Sequence, residues 1–313
     1  MNKLHILIFF SMLSVLASAQ QVDTTDDEIT IQTGESDEKP VRKGQSAHEF
    51  SLTGAVGLSA LQYSTDAGKQ SNGFGGAAGF GYAFYCYNHW AVVMGVDIAQ
   101  MTAQTDGITL ADKYRVVDGN GAAFDFQSRV VADKELQSLL MLRIPLMLQY
   151  TTGGNTGWYM AVGTKVCFPL VSEYTLHYAE ITASGNFAGD AEQNFAGKSS
   201  GKLYFKPVVL AALETGVKFK LTPDMFIYVG VFVDYGVDNM LHTGNDGRII
   251  DYNTLQTGKW TANSILNSRT EQGYITEKLN LFSAGIQLKI AFGKGKVTGG
   301  NRWKPGKWKP ARR

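Results

Sequence analysis

The sequence predicts an all-β chain, a closed antiparallel up-and-down transmembrane β-barrel of eight strands. Three observations predict it. Apolar residues recur at every second position over eight separate spans, no charge falls on the apolar face of any span, and the connections are alternately short and long. Period-two alternation gives a strand one apolar face and one that is not.

The spans run at about 50–60, 74–86, 90–102, 137–150, 158–171, 208–221, 226–239 and 279–292. In the first, Phe50, Leu52, Gly54, Val56, Leu58 and Ala60 alternate with Ser51, Thr53, Ala55, Gly57 and Ser59. Most are longer than the usual strand of about five or six residues, and they suit a tilted membrane strand, which needs about 9–11 to cross the hydrocarbon. The proposed outward sets include Trp90, Val92, Met94, Val96 and Ile98, and Phe282, Ala284, Ile286, Leu288, Ile290 and Phe292. Asp97, Arg143, Lys165, Glu214, Lys218, Lys220, Asp234, Asp238 and Lys289 all fall on the other face. A soluble sandwich alternates too, but its polar face meets water and its apolar face meets another sheet. Aromatics decide for the membrane: Phe50, Trp90, Tyr150, Trp158 and Phe292 gather at one set of strand ends, as an interfacial girdle does. So do the connections. Tyr87–His89, Thr151–Gly157 and Thr222–Met225 are short, whereas 63–73, 103–136, 172–204 and 241–278 are longer, the pattern of periplasmic turns and outer loops. Pro145 breaks a rule by removing a ladder donor inside a strand, and a bulge is expected there.

The ends read differently from the middle. Met1 and Lys3, the apolar stretch Leu4 to Leu16, and Ala17-Ser18-Ala19 make residues 1–19 a cleaved signal peptide, so that the mature chain starts at Gln20. Asp23, Asp26, Asp27, Glu28, Glu35, Asp37 and Glu38 make 20–47 an acidic, unstructured periplasmic segment. Residues 293–313 carry eight Lys or Arg and no acid, with Trp303-Lys304-Pro305 echoed by Trp308-Lys309-Pro310. Lys beside Trp suits an anionic interface, so Arg302, Trp303, Lys304, Lys307, Trp308 and Lys309 form a candidate docking tail for anionic lipid or peptidoglycan. A solvated end, or a partner for the acidic segment, are the competing readings. Cys86 and Cys167 fall on opposite faces and are read as free.

Candidate chemistry lies in the lumen. Counted from the periplasmic ends, Asp97 is seven residues above Trp90, Arg143 seven above Tyr150, Lys165 seven above Trp158, Glu214 seven above Leu221, and Asp234 eight above Phe226. Five charges of mixed sign thus share a level, facing Gly57, Gly79 and Gly285 on the remaining strands. An eight-stranded barrel is only wide enough for its own side chains, and charges in such a space must pair. A plugging ion-pair layer is the main reading and a narrow channel the alternative. Catalysis needs a nucleophile beside a base, and His48, His89, His177 and His242 have no hydrolase motif around them, so no enzyme is expected. Gly73 to Gly79 lacks the ending of a phosphate loop. No metal spacing, cofactor motif or nucleic-acid partner is indicated.

Leu142-Arg143-Ile144-Pro145-Leu146-Met147-Leu148-Gln149-Tyr150 resembles the Ile-Pro-Leu strand of outer-membrane barrel families common in Bacteroidota, including OmpA-like and PorT-like barrels. Gly163-Thr164-Lys165-Val166-Cys167-Phe168-Pro169-Leu170 resembles the strand that follows it, and Asp234-Tyr235-Gly236-Val237-Asp238-Asn239 another shared strand end. The resemblance covers 48–292. It implies a fold and a place in a Gram-negative outer membrane, in contact with its lipid, rather than a reaction. It also keeps open an accessory role beside secretion-apparatus proteins. The peptidoglycan-binding domain of many OmpA-like relatives is replaced here by the basic tail.

Overall fold

The computed structural model describes residues 47–293 except 66, 88, 118, 186–192, 243–246 and 254–259. The expected signal peptide, nearly all of the acidic segment and the six docking-tail residues lie outside the described residues. Thirteen strands follow in order: β1 (Ala47–Tyr63), β2 (Lys69–Tyr87), β3 (Trp90–Val117), β4 (Ala123–Thr151), β5 (Thr156–Ser184), β6 (Gln193–Lys202), β7 (Val208–Thr222), β8 (Met225–Gly236), β9 (Ile250–Tyr252), β10 (Trp260–Ala262), β11 (Arg269–Thr270), β12 (Gly273–Tyr274) and β13 (Leu279–Gly293).

Eight of them close a ring. β1 pairs with β2 and β13, β2 with β3, β3 with β4, β4 with β5, β5 with β7, β7 with β8 and β8 with β13, every pair antiparallel. Closure satisfies each stave's backbone on both sides, which is what lets β structure stand in hydrocarbon. The outer surface fits that setting: Phe50, Val56, Phe80, Val96, Ile98, Ile286 and Leu288 are all exposed, Phe80 to 74%. At one end Phe50 pairs with Phe292 and Trp90 with Tyr150, and the Trp90 and Tyr150 rings meet edge-on at 5.0 Å. Tyr150 then meets Trp158 at 6.5 Å. This is the girdle.

No bulge forms at Pro145. The β3–β4 ladder leaves Ile144 and Pro145 unpaired opposite Gly95 and Val96, then resumes in the same register. The nearest of three slips toward β5 comes instead between Leu140 and Met141, opposite Val171 and Pro169. Skipping the pairs tolerates the missing donor without adding a residue.

Two of the long outer loops are not loops. β3, β4 and β5 are 28, 29 and 29 residues long and run far past the belt. From Ile98 to Val117 that is roughly 60 Å of strand at about 3.3 Å per residue. The inward face changes parity on the way. On β3 the buried residues are Ala99, Met101, Ala103 and Thr105, then Ile108, Asp112 and Val116; on β4 they are Phe126, Ser128, Val130 and Ala132, then Glu135, Gln137, Leu139 and Met141. The switch sits where the register passes from Asp106↔Lys134 to Ile108↔Ala132, at Gly107, whose φ of 61° suits glycine. Above it the outer face is polar: Thr109, Lys113, Arg115, Asp125, Gln127, Arg129 and Asp133 are exposed. The lower barrel is therefore apolar outside, and the upper tower apolar inside. That reversal marks where lipid gives way to water.

The described residues between β8 and β13 pack into the mouth of the tower. Ile249, Ile250, Ile265 and Leu266 are buried in one cluster with Ile108, Phe126, Val130, Leu176 and Ile181 of the wall. Tyr114 Oη donates to the Ile250 carbonyl at 2.8 Å and accepts from the Tyr252 N–H at 2.9 Å. Tyr174 Oη and Ser199 Oγ both donate to the Ala262 carbonyl, at 3.1 and 2.7 Å. β6, paired to the outer part of β5, adds one more strand to this wall.

Candidate functional site in the barrel lumen

The lumen is built from the inward residues of the eight staves, and its middle is charged. Arg143 on β4 donates through Nε to Asp97 on β3 and through Nη1 to Asp234 Oδ2 on β8 at 3.3 Å. Lys165 on β5 lies 3.0 Å from Asp234 Oδ1 and 3.3 Å from Glu214 Oε1 on β7. Lys289 on β13 stands 3.6 Å from Glu214 Oε2. The result is an unbroken series, Asp97–Arg143–Asp234–Lys165–Glu214–Lys289, in which acid and base alternate and the formal charge is zero. All five residues singled out by counting meet in it. Lys289 and Gln287, which donates to Glu214 Oε2 at 2.9 Å and to Tyr159 Oη at 3.1 Å, were not assigned to it.

Gly57 and Gly285 lie across from each other on β1 and β13, and an added Cβ on either would strike the other strand's backbone within 2.6 Å. Gly79 pairs with Asp97 on β3. Phe232 enters beside this thin wall, and Lys165 Nζ sits 5.6 Å from its ring centre. A void of about 30 Å³ remains against Asp97, Arg143, Lys165 and Glu214, room for about one water.

A second polar layer lies nearer the girdle. Glu49 accepts from Lys218 Nζ at 2.6 Å, Tyr85 Oη at 3.0 Å and Tyr228 Oη at 2.5 Å, and Lys218 Nζ lies 4.0 Å from the Phe226 ring centre. Charge alternation flagged Lys218 as inward, but Glu49 precedes the first apolar span and gave no signal.

The other sequence candidates are dispersed. His89 Nδ1 lies 2.8 Å from the Thr151 carbonyl and His48 Nδ1 2.5 Å from Tyr82 Oη. His177 pairs across from Lys134, and Gly73–Gly79 lies within β2, where the register toward β3 slips between Asn72 and Gly75. Among the described residues no group of three His, Cys, Asp or Glu is placed to hold a metal ion. Cys86 is exposed, Cys167 is buried, and neither forms a disulfide.

No family model matches the chain, and no curated protein does. Solved structures do. The attachment invasion locus protein Ail of Yersinia pestis is 10% identical over 78% of this chain and 99% of its own, with a TM-score of 0.28. The outer membrane protein OprG of Pseudomonas aeruginosa is 9% identical over 80% and 97%, with a TM-score of 0.31. A major outer membrane protein from Thermus thermophilus is 13% identical over 79% and 98%, also at 0.31. Superposition that loose bears on none of this chain's particulars, and the architecture rests on its own closed ring and apolar belt. The chain is an outer-membrane-type β-barrel.

Proposed function

We propose that the protein is a non-enzymatic outer-membrane barrel whose lumen is plugged, and that it works through surfaces at its two ends. The observation that carries this is the neutral series of six alternating charges, closed across the lumen with space for about one water. An ion crossing it has to break buried pairs. In planar bilayers the wild-type barrel shows no large, steady conductance; stable open channels of high conductance would instead make it a pore. The capped tower gives the outer end a shaped, water-facing surface, the arrangement expected of a barrel that makes contacts rather than transports. An accessory place beside secretion-apparatus proteins draws its support from the PorT-like motifs, and in-cell crosslinking with identification of the trapped partner tests it.

For the inner end the proposal is that Arg302, Trp303, Lys304, Lys307, Trp308 and Lys309 dock on anionic lipid or peptidoglycan. Support comes from the topology: β13 ends at Gly293 beside the β1 start and the aromatic girdle, so the tail leaves on the side of the short turns. Each cation near an anionic surface contributes about 1 kcal/mol, fading within a Debye length. Sedimentation with anionic vesicles and with cell-wall sacculi is therefore salt-sensitive for the full chain and lost on deleting 294–313. Equal binding by both chains at low salt rejects the docking.

A further inference from the structure

β6 and the chain that leads out of it carry a row of cations that neither the plug nor the tail involves. Lys198, Lys202 and Lys206 are four residues apart and all exposed. They point away from the cap. Between them Ser199 Oγ donates to the Ala262 carbonyl at 2.7 Å, Gly201 faces the Tyr174 ring, Leu203 is buried, and Phe205 packs on the tower cluster. Alternation therefore turns Lys198, Lys202, Tyr204 and Lys206 outward. On the neighbouring strands Lys134 and His177 share a row with Lys198.

The row starts at the lipid and climbs away from it. Ile98, Leu142 and Phe168 form one lipid-facing level, Gln100, Leu140 and Val171 the next, and Thr102, Ser138, Glu173 and Lys202 the one above. Lys202 thus stands at the first wholly polar level. Leu203 N donates to the Ser172 carbonyl at 2.8 Å, which brings Tyr204, 51% exposed, beside the exposed Val171 and Leu170. Lys206 comes two residues before Val208, which pairs with Cys167 at the edge of the belt. Lys198 is in the other direction, about 13 Å along the strand above Lys202 at about 3.3 Å per residue.

Among the described residues none of these three lysines is ion-paired. Two acids share their levels: Glu173 across from Lys202, and Asp106 at the far end of the Lys134 row, where Ser71 and Gln104 already donate to it. Lysine beside an exposed aromatic at headgroup depth suits a lipid phosphate. A phospholipid carries its phosphate at one depth, near Lys206, and leaves Lys198 too high to reach. A lipid whose headgroup presents anions in succession away from the membrane matches the whole row. We propose that Lys198, Lys202 and Lys206 bind the phosphorylated glycolipid of the outer leaflet. Its acyl chains lie against Leu170, Val171 and Tyr204, its glucosamine phosphates meet Lys206 and Lys202, and the acidic sugars of its core meet Lys198.

The test is lysine acetylation footprinting of the full chain in detergent micelles, read peptide by peptide so that the tail lysines report separately. Lipid A with both phosphates slows acetylation of Lys202 and Lys206 about fivefold, and raising salt reverses the protection. Lipopolysaccharide that retains its core extends the protection to Lys198. Phosphatidylglycerol leaves Lys198 reactive, and Lys113, on β3, reacts alike with every lipid. In a second arm, Lys198→Gln, Lys202→Gln and Lys206→Gln combined weaken lipopolysaccharide binding about fivefold per lysine. The tail is the same in both chains, so the difference belongs to the row. The footprint needs no variant and decides the matter if the triple substitution fails to give heat-modifiable mobility on gels. Lipid A stripped of its phosphates protecting as well as lipid A overturns the proposal. So does phosphatidylglycerol protecting all three lysines, core-bearing lipopolysaccharide leaving Lys198 reactive, or a folded triple variant that binds lipopolysaccharide like wild type.

Discussion

Replacing Arg143 by alanine destabilises the barrel by about 3–5 kcal/mol, the cost of leaving a buried charge without its partner. Among the described residues Arg143 is the only link between Asp97 and the rest of the lumen series, through Nε on one side and Nη1 on the other. Its side chain is 4% exposed, that of Asp97 15% and that of Asp234 not at all, so the lost guanidinium leaves its partners little access to water. Lys165 still holds Asp234, which leaves Asp97 as the stranded group. Urea unfolding in micelles measures the loss, and a double-mutant cycle assigns it: in an Asp97→Asn background the same substitution costs clearly less. Equal cost in both backgrounds would place the effect in packing and remove the ion pair from the account. Lys113→Ala is the control, because Lys113 and Asp125 form a pair at 3.3 Å with both side chains about half exposed, worth about 0–1 kcal/mol. Conductance is the second readout. If the charged layer is the plug, Arg143→Ala raises the frequency of open events above wild type.

The belt and the lumen charges were legible because lipid imposes a hard rule: a charge cannot face it, so every charge in a span reports the inward face. Counting along strands then brought Asp97, Arg143, Lys165, Glu214 and Asp234 to one level. It missed Lys289, which lies only three residues above Phe292, because strand tilt staggers the levels and a lysine side chain reaches across them to Glu214. The tower was not legible for the opposite reason. Above Gly107 the inward residues change parity and the outward ones become polar, so a search for one continuous apolar face stops at about residue 102 on β3 and resumes at 137 on β4. The expected loop 103–136 thereby hid the upper halves of two strands. The clue available was alternation in the other phase, Ile108, Leu110, Tyr114 and Val116 against Phe124, Phe126, Ser128 and Val130. The cap gave less still. Ile249, Ile250, Ile265 and Leu266 are brief apolar islands in a polar stretch, and only the wall they meet gives them meaning.

Glu135 is where that cap is held, and its removal frees the cap without opening the barrel below. It lies on β4 five residues beyond Leu140, across from Thr105 and Leu176 and above the lipid-facing belt. The residue is wholly buried. It accepts from Ser264 Oγ at 2.5 Å, Ile265 N at 3.0 Å and Gln137 Nε2 at 3.1 Å, and among the described residues none of its partners is a cation. Glu135→Ala orphans the Ile265 N–H and the Ser264 hydroxyl, a cost of about 1–3 kcal/mol concentrated in the cap. Amide exchange over 260–268 then speeds roughly 5- to 150-fold, while the girdle end of β3 and β4 exchanges as in wild type. Uniform acceleration across the barrel would show that Glu135 supports the whole fold and is no latch. The pH response has a definite sign. Burial lifts the Glu135 carboxyl above its ordinary range, against the three hydrogen bonds that favour the anion. The folded cap therefore binds the proton more tightly than the released one, so its stability is greatest below the ordinary carboxylate range and falls as pH rises through the elevated value. Glu135→Gln keeps an acceptor for Ile265 and cannot ionise, so it holds the cap and flattens this dependence. Exchange at 260–268, corrected for the intrinsic effect of pH, reads it directly: a wild-type profile as flat as that of Glu135→Gln removes the carboxylate from control of the cap.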